Sequence, residues 1–390
     1  MAGPDPTVAI LLLLGSTVCL GTWPALLELG RGGGRDVAHA FLDYALAYAA
    51  TAGTFAAAAS GSVRALLPPP CVGGAALAAF AIAGGALLMF GNLSLQRALA
   101  LGGSITALLP LQASLCVVLG TGLNYALQPG KSDAALLFGG VFCFLVAIAL
   151  NVAAQLAYHH ATRSSGSAGG GGGGGDHAAE VEVDMVPLRG SEAEQAMAGV
   201  DEAERLGGLQ SRSKVRAPRR VPAALAVGFA GGCCFGFFSP AFNIAVNDEL
   251  GFLGARCGPP LTVSAANLLF ALAFAAAAVA THAQPVLSTA QARRRYWQEE
   301  GWVGRRRVLS IGAGAVCSVG NLLQFAGGQR AGFAAADLVQ SYPVIGIVWG
   351  AALFGDYADA RREVLWLLGG TYAAYLSAVL LMALSARGGV

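Results

Sequence analysis

Ten stretches of about 20 predominantly apolar residues succeed one another along this chain, and each is long enough to cross the hydrocarbon core of a bilayer as an α-helix. In lipid, backbone N–H and C=O groups find no water, so spanning segments must satisfy them internally, as a helix does. The spans read as residues 7–30, 37–59, 72–97, 103–127, 134–158, 222–247, 258–280, 308–329, 333–355 and 364–386. Only 12% of the residues are charged and 55% are hydrophobic, whereas a soluble domain carries roughly 25% charge. The expectation is an all-α integral membrane protein with ten transmembrane helices. The first run is kept as a helix, because Met1 to Thr7 lacks a basic n-region and Trp23-Pro24 stands where a signal-peptide cleavage site would be.

Between the fifth and sixth runs lies a segment holding the glycine run 169–175, an acidic stretch from Asp176 to Glu204 and a basic stretch from Arg205 to Arg220. It cannot bury a core and reads as a disordered linker over 159–221. Its basic end meets the sixth helix, where anionic lipid attracts it better than nucleic acid would. The linker separates a first five-helix repeat (1–158) from a second (222–390). Trp23-Pro24-Ala25 is answered by Ser239-Pro240-Ala241, Gly91-Asn92-Leu93 by Gly320-Asn321-Leu322, and Gln96-Arg97-Ala98 by Gln329-Arg330-Ala331. Pro110 corresponds to Pro343, and Leu119 to Tyr125 corresponds to Trp349 to Tyr357. Five helices per copy is an odd number, so the second copy enters the membrane inverted, the plan of many secondary transporters.

Arg64, Lys131, Arg256, Arg330 and Arg387 fall on the face that holds both termini, and the other basic residues, Arg293 to Arg295 and Arg305 to Arg307 among them, on the opposite face. The positive-inside bias then places the linker in the cytosol and the termini outside. Six of the eight cysteines, including Cys116, Cys143, Cys233 and Cys317, lie in apolar runs and serve as small hydrophobes. Cys71 and Cys257 both fall near the non-cytosolic face, where they can pair. No spacing of cysteine or histidine suggests a metal, and no cofactor is implied.

A polar side chain in lipid is costly, so those within the spans are functional candidates. Asn92 and Gln96 share one face of the third helix, and Asn321 and Gln324 share one face of the eighth. Carboxamides offer donors and acceptors without charge and suit a small neutral solute; the competing reading is glue between helices. The candidate substrate-binding residues are Trp23, Asn92, Gln96, Asn243, Asn321, Gln324 and Gln340. Glu28, Asp43, Asp248 and Asp356 fall near helix ends, whereas Asp337, one turn from Gln340, lies clearly within a span. Burial disfavours the charged form of a carboxyl, which fits Asp337 to load and release a proton. The rival role is a structural partner for Arg330 or a nearby amide. No histidine lies inside a span, which removes the usual alternative carrier. Pro24, Pro110, Pro240 and Pro343 each sit within a span and break its hydrogen-bond ladder, most richly around Phe237 to Asn247.

Two short motifs mislead. Gly130-Lys131-Ser132 ends like a P-loop but has no glycine five residues before Gly130 and no preceding strand. Asn92-Leu93-Ser94 is a glycosylation sequon buried in a helix.

Gly21-Thr22-Trp23-Pro24-Ala25-Leu26, Leu42-Asp43-Tyr44, Gly91-Asn92-Leu93-Ser94 and Phe238-Ser239-Pro240-Ala241-Phe242-Asn243 resemble the plant ureide permeases. So do Gly140 to Ile148, Asn247-Asp248, Gly320-Asn321 with Gln324-Phe325, and Ala334-Ala335-Ala336-Asp337. The resemblance implies membership of the drug and metabolite transporter superfamily and proton-coupled import of allantoin, related ureides or oxo nitrogen heterocycles such as uracil, with the plasma membrane as the favoured location. Three departures stand out. The loop's single lysine, Lys214, precedes Val215 where the family carries a GK[ST]-type sequence. Ala107 follows Thr106 where the family has an acid, and Arg97 and Arg330 replace uncharged residues. A carrier for a purine, a cytokinin-like base or a nucleotide-sugar remains the alternative, and a non-transporting scaffold or receptor a second.

Overall fold

The computed structural model describes residues 6–31, 37–101, 105–167, 221–254, 257–298, 304–353, 357 and 360–388. Every regular element among them is helical. The helices are α1 (Pro6–Arg31), α2 (Val37–Ser60), α3 (Val72–Ala100), α4 (Ile105–Leu127), α5 (Ala134–Ser167), α6 (Val221–Asn247), α7 (Val263–Leu287), α8 (Ala290–Gln298), α9 (Arg305–Ala331), α10 (Phe333–Ala336), α11 (Pro343–Leu353) and α12 (Arg362–Gly388), with the 3₁₀ segment Asp337–Ser341 between α10 and α11. Eight stretches among the described residues are long and apolar enough to cross a membrane. They lie in α1, α3, α5, α6, α7, α9 and α12 and in the interrupted stretch Phe333–Leu353. In α4 only Leu111–Leu127 qualifies, as a shorter apolar helix. In α2, His39, Asp43, Thr51 and Thr54 dilute an alanine-rich sequence.

The seventh expected span shifts along the chain, to α7. Pro259 and Pro260 keep the backbone out of a helix, and Thr262 then caps it, its hydroxyl accepting from Ala265 N at 3.2 Å. The helix continues to Leu287 and so encloses His282, while His39 lies in the first turn of α2; both are buried, which corrects the reading that no span holds a histidine. α6 runs through Pro240 without interruption. Pro343, expected inside a helix, instead opens α11, a position that needs no N–H. Ahead of it the chain leaves the α conformation for the 3₁₀ turns that carry Asp337. α5 continues to Ser167; the remainder of the expected linker, 168–220, lies outside the described residues.

Lipid tails are as apolar as leucine, so helices in a bilayer associate by close packing rather than by the hydrophobic effect. α1 packs along α9, α9 on α2, α2 on α7, α7 on α3, α3 on α6 and α6 on α4; the α10 and 3₁₀ stretch touches α4, and the 3₁₀ segment with α11 touches α1, closing a ring. Glycines permit the tightest crossings: a Cβ at Gly85 would meet the Phe270 backbone, and one at Gly314 the Tyr44 backbone. Phe242, Phe270, Phe325 and Phe333 fill the interior, with Phe242 stacked on Phe325 at 3.5 Å between centroids. At the end where the chain starts, Cys71 and Cys257 form a disulfide with Cα atoms 5.9 Å apart.

Candidate functional site

Buried polar side chains gather at three levels along the helices. The level nearest the disulfide is centred on Asp337, which is 1% exposed. Asn124 Nδ2, one turn before the end of α4, donates to Asp337 Oδ2 at 3.1 Å and lies 2.9 Å from Ser239 Oγ of α6. Asn243 Nδ2 donates to Asn124 Oδ1 at 3.1 Å, Asn247 Nδ2 to Asn243 Oδ1 at 2.7 Å, and Gln329 Nε2 of α9 to Asn247 Oδ1 at 2.7 Å. Gly120 leaves room for the carboxyl, since a Cβ there would lie 3.3 Å from Asp337 Oδ2. The Thr121 hydroxyl faces the same carboxyl without closing a hydrogen bond. A nearby amide, not Arg330, therefore holds Asp337; Arg330 is exposed at the end of α9.

The middle level joins α1, α2 and α9. Asn321 Nδ2 donates to the Tyr48 hydroxyl at 3.0 Å, and the Tyr44 hydroxyl lies 3.1 Å from Cys317 Sγ. Trp23 packs on Tyr44 with centroids 5.1 Å apart. Gln324, one turn from Asn321, is fully buried, and neither amide atom has a hydrogen-bond partner. An unsatisfied amide in an apolar interior costs about 1–3 kcal/mol, a cost that pairing with a further donor and acceptor would remove.

At the third level, by α8, Arg307 Nε meets Asp43 Oδ2 at 3.0 Å with both side chains buried. The Tyr296 hydroxyl donates to the other oxygen of Asp43, and Arg307 Nη2 donates to Tyr296 O at 2.8 Å. The guanidinium lies 4.5 Å from the Tyr296 ring centroid and 5.4 Å from that of Trp297. α8 is thereby fastened across α2 and α9.

The structure thus gathers Trp23 and Asn321 at the middle level, with Gln324 on the same stretch of α9, and joins Asn243 to Asp337 at the first. Gln340 is buried in the 3₁₀ segment with Asp337. Asn92 belongs to neither group; its Nδ2 donates to Leu88 O of its own helix at 2.8 Å. The Gln96 side chain lies outside the described residues, as do those of Glu28, Asp356, Thr106 and Ala107. Sequence reasoning missed Asn124, Tyr44 and Tyr48. Asn124 was open to the same test that singled out Asn92, since an amide within an apolar run is costly wherever it falls.

The ureide permease family model matches residues 75–385. Ureide permease 5 of Arabidopsis thaliana is 35% identical over 398 residues, covering 97% of this chain and 94% of the relative. Ureide permease 2 of the same plant is 33% identical, covering 95% of each chain. A probable ureide permease A3 of Vigna unguiculata is 31% identical, covering 88% of this chain and 94% of its own. Membrane-length helices bury neutral amides together with the carboxyls of Asp43 and Asp337, and with these matches the chain belongs to the ureide permease family.

Proposed function

We propose that this protein is a secondary transporter that imports allantoin and related ureides, or oxo nitrogen heterocycles such as uracil, together with protons carried by Asp337. The observation that carries the cargo reading is Gln324, buried with both amide atoms unpaired one turn from Asn321, which bonds to Tyr48. A ureide presents amide N–H and C=O groups, and a carboxamide can serve both at once without leaving an ion stranded in the empty carrier. The middle level is built from neutral side chains, which suits a neutral solute better than a nucleotide-sugar, whose phosphates call for arginine or lysine.

The transport reading includes ten spans in two inverted five-helix repeats. Exchanging α1 to α5 with α6, α7, α9, the interrupted α10–α11 stretch and α12 turns the α1 packing on α9 into that of α6 on α3, and the α9 packing on α2 into that of α3 on α7. The close approaches follow the same exchange. Gly91 abuts Phe235 of α6 where Gly320 abuts Leu20 and Cys19 of α1, and the equivalent glycines six residues earlier, Gly85 and Gly314, abut Phe270 of α7 and Tyr44 of α2. In this reading the α8 end is cytosolic and the disulfide end faces an oxidising compartment.

The test is the concentration dependence of uptake in Gln324→Leu. The substitution raises KM for allantoin by about tenfold to a hundredfold, the loss of one buried hydrogen-bonding group. Gln112→Leu is the control: that amide is also buried and unpaired but lies against Gly231 and Ser94 where α4 crosses α6. An unchanged KM in Gln324→Leu at equal expression would remove the residue from the site.

A further inference from the structure

The carboxamides leading away from Asp337 all point one way. A carboxylate only accepts hydrogen bonds, so the Asn124 amide must turn its NH2 toward it, which leaves Asn124 Oδ1 facing Asn243. Asn243 must then donate, exposing its own Oδ1 to Asn247, and Asn247 in turn presents Oδ1 to Gln329. Each carboxamide has one donating and one accepting end, so fixing the first fixes the rest. Hydrogen bonds aligned head to tail polarise one another. This chain brings its positive end to the buried carboxyl and has its far end at Gln329, which is exposed.

We propose that Asn124, Asn243, Asn247 and Gln329 act together as positioning residues for Asp337, an aligned carboxamide chain that sets how readily its carboxyl takes up a proton and lets a charge at the surface bias that uptake. The proposal deepens the reading of Asp337 as the proton carrier and rests on it. Among the described residues, Cys116 of α4 stands near Asp337, Tyr342 near Cys116 and Tyr375 of α12 near Tyr342; Arg330, next to Gln329, is exposed, and the carboxylate of Asp248, next to Asn247, accepts from Phe252 N and Leu253 N. Cys19 of α1 faces Cys317 instead. Glu249 is held by Gln128 at the end of α4, and Lys131 stands beside Gly332 at the same end. The aligned chain is a continuous polar connection from Asp337 to α9.

The test reverses the chain from its far end. Gln329→Glu keeps the shape of the side chain, but its carboxylate only accepts. Asn247 must then turn its NH2 outward, Asn243 and Asn124 must follow, and Asn124 comes to offer an oxygen to Asp337, an arrangement that only a protonated carboxyl can satisfy. The readout is infrared titration of the purified protein in lipid nanodiscs, following the carboxylic C=O band that is missing in Asp337→Asn. The band's midpoint moves toward alkaline pH by about half a unit in Gln329→Glu. In an Asn243→Leu background, where the chain is cut, Gln329→Glu adds nothing. Asn247→Leu serves as the cut if Asn243→Leu does not fold. A midpoint that ignores Gln329→Glu, or that moves equally in both backgrounds, overturns the chain. The titration needs no cargo, so a shifted midpoint in a protein that takes up no ureide would overturn the transport reading and leave the chain standing.

Discussion

Arg307 of α9 and Asp43 of α2 form an ion pair of 3.0 Å with 3% and 7% of their side chains exposed, and Tyr296 of α8 bonds to both. Desolvating two charges costs several kcal/mol, and here the cost is offset by a bonding arrangement in which both carboxylate oxygens are engaged and the guanidinium lies over two rings.

Removing one partner should therefore be worse than removing both. Asp43→Asn takes away the carboxylate that meets the buried guanidinium at 3.0 Å and should destabilise the protein by about 3–5 kcal/mol. The double substitution Asp43→Leu with Arg307→Met should recover most of that loss. Thermal unfolding of detergent-solubilised protein checks both; a double variant no more stable than Asp43→Asn would show that the pair is not acting as a unit.

The crossing glycines give a second prediction, drawn from geometry alone. A Cβ at Gly314 would press into the Tyr44 backbone, whereas one at Gly312 on the same helix meets nothing within 4 Å. Gly314→Ala should lower stability by about 1–3 kcal/mol, and Gly312→Ala should leave it unchanged or slightly raised through helix propensity. Equal melting temperatures would mean that α2 and α9 are less tightly packed than described.

Much of the fold was legible because bilayer thickness leaves helix length little freedom. The limits of α1, α6 and α12 fall within a few residues of those read from hydropathy, and α7 shifted because the Pro259-Pro260 pair and the Thr262 cap outweigh the apolar character of the residues around them. The break at Asp337 was less legible. Pro343 announced an interruption, yet nothing in the local pattern said that the 3₁₀ turns would precede it. The polar residues of the candidate site could be picked out singly in the sequence, but not their assembly. Asn243 and Asp337 were recognised for being polar in lipid, while Asn124, which joins them, depends on α4 and α6 crossing at that depth. Asn321 and Gln324 shared a face as read, but Tyr48 could be found only once α2 was placed against α9.

The disulfide bears on topology. Maleimide should label Cys71 and Cys257 only after reduction, and only from the side on which the termini lie. Replacing both with serine should cost about 2–4 kcal/mol. A protease-accessible tag between residues 168 and 220 should be cleaved only from the cytosol; cleavage from the exterior would invert the proposed orientation.

The most direct test is uptake of labelled allantoin, with uracil as competitor, in cells lacking their own carriers, comparing wild type with Asp337→Asn at acid and neutral pH, with and without a proton uncoupler. The account predicts uptake that uracil competes, that the uncoupler abolishes and that Asp337→Asn lacks at equal surface expression. Uptake in Asp337→Asn that keeps its pH dependence and its sensitivity to the uncoupler would contradict it.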